Sequence, residues 1–152
     1  MNKQLSIYSA GGGTSATTEL LTTSVLISNA EVLALATTPK LLVAGVANKI
    51  IVPLNTSLFV TYGTPTDGSA STMVVGVSNS PTGTDYYCDV TFFMFITTDS
   101  AYYSMSNKDG GSVTNPAPPT KIGVPLQLWT IGNPNGGYSM RVVTTYRLID
   151  KD

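Results

Sequence analysis

The stretch SVLISNAEVLALATTPKLLVAGVANKIIVPLNTSLFVTY, residues 24–62, decides the fold. Val25 and Ile27 fall on one side of a short strand. Ser28-Asn29-Ala30-Glu31 has capping-box spacing, a hydroxyl at the N-cap and a carboxylate three residues on, so a short helix opens there. Val32, Leu33 and Leu35 are its apolar residues, and Pro39, which disfavours helical backbone in the residue before it, stops it. Leu41, Leu42 and Val43 make the next strand, and Gly45-Val46-Ala47-Asn48 turns the chain. Ile50, Val52, Leu54, Leu58, Val60 and Tyr62 then share one parity, with Thr56 the polar member, while Asn55, Ser57 and Thr61 lie opposite. That alternation predicts a long strand with one face in a core. Pro53 has no N–H to give a ladder, so an edge or a bulge is expected at that point.

Working outward, residues 1–23 read as an N-terminal arm and 24–152 as one domain. Leu5 and Ile7 suggest a short strand in the arm, followed by the Gly/Thr-rich linker Gly11–Thr18. Met73, Val75 and Val77 mark a further strand. YYCDVTFFMFIT, residues 86–97, is apolar on both faces at its centre, as in a strand between layers. Tyr102, Tyr103 and Met105 continue into another strand, and residues 106–120 form a long loop of the kind that carries function on a β scaffold. Val124, Leu126, Leu128 and Thr130 alternate with Pro125, Gln127 and Trp129. After the turn Asn133–Gly137, Tyr138, Met140, Val142, Tyr146 and Leu148 face one way, and Ser139, Arg141, Thr145 and Arg147 the other. The sum is an all-β fold of about eight antiparallel strands, a sandwich or jelly roll with one short helical turn and an extended arm.

Composition narrows the chemistry. Charged residues make up 11% of the chain, against about a quarter in ordinary domains. Thr, Ser, Asn and Gly take their place, which suits half-exposed strands and turns. With 8 basic and 9 acidic residues there is no basic stripe to neutralise phosphates, so a nucleic-acid partner is not expected. Weak surface charge favours burial of that surface in an assembly. The chain has no histidine and a single cysteine, Cys88, which excludes His-based triads, His-ligated zinc and an intramolecular disulfide. No apolar run reaches the length of a membrane span and the first residues lack a signal-peptide core, so synthesis in a cytoplasm without a cleaved signal is expected.

The candidate motifs are weak. Gly11-Gly12-Gly13-Thr14-Ser15 lacks the preceding strand, following helix and lysine of a phosphate loop. Tyr86-Tyr87-Cys88 has the spacing of an immunoglobulin tyrosine corner without a partner cysteine, and Cys88 reads as a small core residue. Asp85, Asp89, Asp99 and Asp109 are too scattered for calcium or for a paired-carboxylate hydrolase. No cofactor, metal or catalytic residue is expected. Tyr102, Tyr103, Trp129 and Tyr138 fit either a sugar-stacking platform or core and interface positions, and the second is the commoner use of aromatics on alternating strands.

Two segments carry a resemblance. The first runs from Ser28-Asn29-Ala30-Glu31 through Leu35-Ala36-Thr37-Thr38-Pro39 and Lys49-Ile50-Ile51-Val52 to Tyr62-Gly63. The second has Val124-Pro125-Leu126-Gln127-Leu128, the turn Gly132–Gly137 and Arg141-Val142-Val143-Thr144-Thr145-Tyr146-Arg147-Leu148-Ile149. In order and spacing they resemble a family of small tailed-phage virion proteins, the decoration, cement or fibre-associated components of head or tail. The resemblance implies an oligomeric β-sandwich on a virion, with no catalytic residues to transfer. The expected protein is a capsid decoration or cement subunit, a homo-oligomer with a trimer favoured. Its partners would be the major capsid protein or tail and fibre components, with Leu5, Ile7 and Tyr8 as arm contacts. The alternative is a fibre- or spike-associated module that binds glycan or receptor through Tyr102, Tyr103 and Trp129.

Overall fold

The computed structural model describes residues 19–63, 72–76, 86–91, 101–105 and 122–150, with 86–91 and 101 given as backbone. These residues form β1 (Leu20–Ile27), α1 (Asn29–Ala34), β2 (Lys40–Val43), β3 (Lys49–Tyr62), β4 (Thr72–Gly76), β5 (Tyr86–Thr91), β6 (Ala101–Met105), β7 (Leu126–Ile131) and β8 (Tyr138–Asp150). The strands lie in two four-stranded antiparallel sheets, ordered β1-β8-β3-β6 (the first sheet) and β2-β7-β4-β5 (the second). The outermost strands in sequence pair with each other, and so inward: β1 with β8, β2 with β7, β3 with β6, β4 with β5. That nesting is a long hairpin rolled on itself, the jelly roll. The expected sandwich is therefore present. β1 begins at Leu20, so residues 20–23, expected in the arm, belong to the first sheet.

Residues 24–62 cross between the sheets twice. β1 lies at the edge of the first sheet, β2 at the edge of the second, and β3 returns to the interior of the first. The crossing at α1 is built as its sequence requires. Ser28 is the N-cap, Glu31 N–H donates to its Oγ at 3.3 Å, and Ser28 N–H donates to Glu31 Oε2 at 2.8 Å. Val32 and Leu35 are fully buried beneath the helix. The turn before β8 rests on it: Gly137 N–H donates to Asn29 Oδ1 at 2.7 Å. Gly136 has φ +76°, and a Cβ there would meet Asn29 Oδ1 at 2.7 Å and Leu33 Cδ2 at 2.9 Å. Only glycine reconciles that backbone with that approach.

Glu31 also accepts from the Lys40 ammonium across the mouth of the α1–β2 turn. That bond, with those from the Ser28 backbone and hydroxyl, holds the Glu31 carboxyl down at about 2. Because the folded value lies below the ordinary one, the stabilisation is complete above about 4.5 and lost as pH falls towards 2. In thermal melts between pH 5 and pH 2, Glu31→Gln is expected to flatten the acid decline relative to wild type. Equal slopes for the two proteins would contradict the assignment.

One core joins the two sheets. Ile27, Leu58, Val60, Met140 and Val142 from the first meet Leu42, Met73, Val75, Leu126 and Leu128 from the second, with Val32 and Leu35 closing one end. Within β3 the alternation departs from expectation. Thr56, Leu58 and Val60 point inward as read, but below them Ile51 and Pro53 are buried while Leu54 is exposed. The cause is a bulge: opposite β8, Pro53 faces Tyr146 and Asn55 faces Thr145, so Leu54 has no partner. One extra residue reverses which side chains face the core. The bulge sits at Pro53, which lacks the donor that regular pairing would use. Thr56, the polar member of the inward series, is matched across the ladder by Thr144, and their hydroxyls bond at 3.1 Å in the core. A buried hydroxyl with such a partner avoids the roughly 1–3 kcal/mol cost of an unmet one.

Candidate functional site

The second sheet is buried on both of its faces along β4 and β7. Met73, Val74 and Val75 are fully buried, as are Leu128, Trp129 and Thr130. The first sheet is different, because its outer face is open. On it β1 presents Leu20, Thr22, Ser24 and Leu26, and β8 presents Ser139, Arg141, Val143 and Thr145. β3 adds Asn55 and Phe59, with Ser57 buried between them, and β6 adds Tyr102 and Ser104.

Register brings one row straight across this face. Leu26 pairs with Arg141, Arg141 with Phe59, and Phe59 with Tyr102. Phe59 and Tyr102 meet as tilted rings with centroids 5.0 Å apart. The Arg141 guanidinium lies over the Phe59 ring, 4.9 Å from its centroid. That is cation–π distance. Leu26 is 74% exposed and Tyr102 59%, so both ends of the row stand in water. Four strands at about 4.8 Å spacing make the row about 14 Å long.

Beside it the hydroxyls and amides are tied together. Ser57 Oγ donates to Asn55 Oδ1 at 3.1 Å, so the Tyr102 hydroxyl is the donor in its 3.0 Å bond to Ser57. Asn55 Nδ2 donates in turn to Ser104 Oγ at 3.3 Å. At the α1 end of the row a groove of about 490 Å³ opens, lined by Leu26, Phe59, Thr61, Ser139, Arg141 and Glu31 among others. Among the described residues no three His, Cys, Asp or Glu side chains are placed to hold a metal. This face combines exposed apolar ends, a cation resting on a ring and hydrogen-bonded polar groups.

The aromatics expected at the surface are not brought together. Only Tyr102 stands on the open face. Tyr103, next to it in β6, turns inward and packs against the core. Desolvation, with a hydrogen bond to Tyr62, pushes its phenol up to about 12. Tyr62 in turn meets Tyr138 at 6.2 Å between ring centroids, and Tyr138 is buried. Trp129 lies in the other sheet and is fully buried, so it is no surface aromatic. Alternation had set it opposite Leu126 and Leu128, as found; what alternation does not report is that this second side is covered too. Leu5, Ile7, Tyr8 and the loop 106–120 lie outside the described residues, as does the Cys88 side chain.

Nothing in the sequence alone marks Leu26, Phe59 and Arg141 as site residues. Phe59 shares the parity of Asn55, Ser57 and Thr61, and Arg141 falls on the side of β8 opposite its apolar series. Their outward direction was therefore legible, but their alignment depends on register between segments far apart in the chain.

No family model matches the sequence, and no curated protein is significantly similar to it. Among solved structures the chain is similar to one in the "Cyanophage Pam1 capsid asymmetric unit", with TM-score 0.50 and 17% identity over 98% of each chain. It is also similar to a chain of the "Capsid of Ralstonia phage GP4", with TM-score 0.45 and 11% identity over 95% of this chain and 90% of that one. At 17% identity the first likeness is one of fold, between chains of nearly equal length.

Proposed function

We propose that this chain is a non-enzymatic structural protein of a tailed-phage virion, a decoration or cement subunit made in the host cytoplasm and assembled onto the head. The observation that carries the reading is the end-to-end likeness of its jelly roll to a chain of a phage capsid asymmetric unit. A jelly roll alone would not suffice, since lectins and capsid domains share it and fold does not dictate function. Composition supports the same reading. A sparsely charged surface rich in Thr and Ser adds contact area over neighbouring subunits at little desolvation cost, and summed area replaces any single strong site.

On this reading the chain acts as a homo-oligomer, a trimer by preference, and residues 1–18 with Leu5, Ile7 and Tyr8 reach a neighbour. A strand added to a sheet edge is the simplest use for them. The glycan-binding alternative needs Tyr102, Tyr103 and Trp129 on one surface, and they occupy three different environments.

Particles separated into heads and tails, then quantified by mass spectrometry, are expected to carry the chain on heads in a fixed ratio to the major shell protein. Recovery with tails alone would overturn the decoration reading. Deleting residues 1–18, which leaves β1 whole, is expected to abolish incorporation while the melting temperature changes little. Full occupancy by the truncated chain would remove the arm from the mechanism.

A further inference from the structure

The outer face of the first sheet holds more unsatisfied apolar surface than any other described part of the chain. Leu20, Leu26, Leu54, Phe59, Tyr102 and Ile149 are all exposed, and all belong to strands of that sheet. The corresponding positions of the second sheet, Val74 and Trp129, are already covered. The cations of the open face come from β8, and Glu31, the carboxylate that shares the groove with Arg141, is engaged by Lys40 and Ser28. Arg141 and Arg147 both project from β8 on this side. Asp150 is engaged by Lys49. No described carboxylate is paired with Arg141. Its guanidinium instead lies on Phe59 and lines the groove, with no hydrogen bond to another described residue.

From this geometry we infer that the Leu26–Arg141–Phe59–Tyr102 row is the face by which the chain docks on another virion protein. The partner surface places a large apolar side chain in the groove between Leu26 and Phe59 and an Asp or Glu carboxylate on Arg141. The inference rests on the virion reading above and names the surface that reading requires. Arginine and aromatic residues at the centre of a patch are the composition of interface hot spots. A guanidinium already resting on a ring loses little freedom when a carboxylate arrives, and its fork matches the two oxygens.

A second copy of this chain is the weaker occupant. A two-fold, face-to-face pairing about this row would bring Arg141 towards Arg141. A sugar is weaker too. One face of the Phe59 ring is taken by Arg141, and the Tyr102 ring is tilted 55° to Phe59, so no flat two-ring platform is offered.

The test uses the full-length chain and purified heads assembled without it, with bound copies counted after pelleting over a range of NaCl. Wild type is expected to bind, more weakly as salt rises. Arg141→Glu is expected to weaken binding by about thirtyfold or more, and Leu26→Asp by a similar factor. Arg141→Lys should fall between, since it keeps the charge and loses the fork. Leu41→Asp, at an exposed position of the other sheet, should bind like wild type. Thermal melts check that all four variants stay folded, as exposed side chains should allow.

Wild-type affinity in Arg141→Glu and Leu26→Asp overturns the docking face and leaves the virion reading intact. Failure of wild type itself to bind heads overturns both. If Arg141→Glu instead dissociates a wild-type oligomer in sedimentation, or abolishes retention on an immobilised acidic polysaccharide, the occupant is a second copy or a glycan and the stated partner is wrong.

Discussion

Trp129→Ala is expected to lower the free energy of unfolding by about 3–5 kcal/mol, the range for deleting a large buried aromatic. The side chain is fully buried in the interior strand β7, beside an equally buried Val74 on β4. A cavity left by the ring adds its own cost to the lost transfer energy. Urea unfolding read by circular dichroism measures the change as a shift in midpoint at unchanged slope. Trp129→Phe is expected to cost less, because the indole Nε1 has no hydrogen-bond partner among the described residues and phenylalanine removes that buried donor. A loss below about 1 kcal/mol for Trp129→Ala would mean the ring stands at the surface after all. Trp129 is the only tryptophan, so its fluorescence reports on the interior of the fold. Emission should be blue-shifted in the native chain and insensitive to added glycans.

Gly45→Ala is expected to destabilise by about 3 kcal/mol or more, at the top of the range for overpacking. A Cβ on Gly45 would stand 2.0 Å from the Gly123 carbonyl oxygen, 2.8 Å from its carbon and 3.2 Å from Pro125 N. These are backbone atoms and cannot rotate aside. The Gly123 segment is also held, since its N–H donates to the Lys49 carbonyl at 2.9 Å. This contact clamps the β2–β3 turn to the chain entering β7, so relief must separate the two. Gly63→Ala is the control, because among the described residues a Cβ there meets only the Gly137 oxygen at 3.5 Å, an ordinary contact. Melting temperatures for the two variants should differ by well over 5 °C. Similar values would show that the Gly45 approach is slack.

Several features were readable from short range. The Ser28–Glu31 cap and the stop before Pro39 depend on groups within a few residues, and the helix lies where they put it. The inward series from Tyr138 to Leu148 holds because β8 pairs without interruption along β1. β3 shows where such reading stops. Pro53 signalled a bulge, yet the apolar pattern on either side has one parity, and that pattern conceals the reversal. Ile50, Val52 and Leu54 are apolar and look like core residues. The ladder with β8 assigns the interior to Ile51 and Pro53 instead.

The candidate face was less legible than the fold. Leu26, Arg141, Phe59 and Tyr102 come from four strands spread over the chain, and no spacing in the sequence marks them as neighbours. Strand type, helix cap, parity and the lack of histidine chemistry follow from the residue order, because they depend on local geometry and on side-chain inventory. The nested pairing of eight strands, the slip at Leu54, the cover over Trp129 and the row across the first sheet do not. Each depends on register between distant segments, and register settles where burial summed over whole sheets is greatest. That sum exists only once the chain has folded, and it placed Trp129 inside and Arg141 on Phe59, facing out.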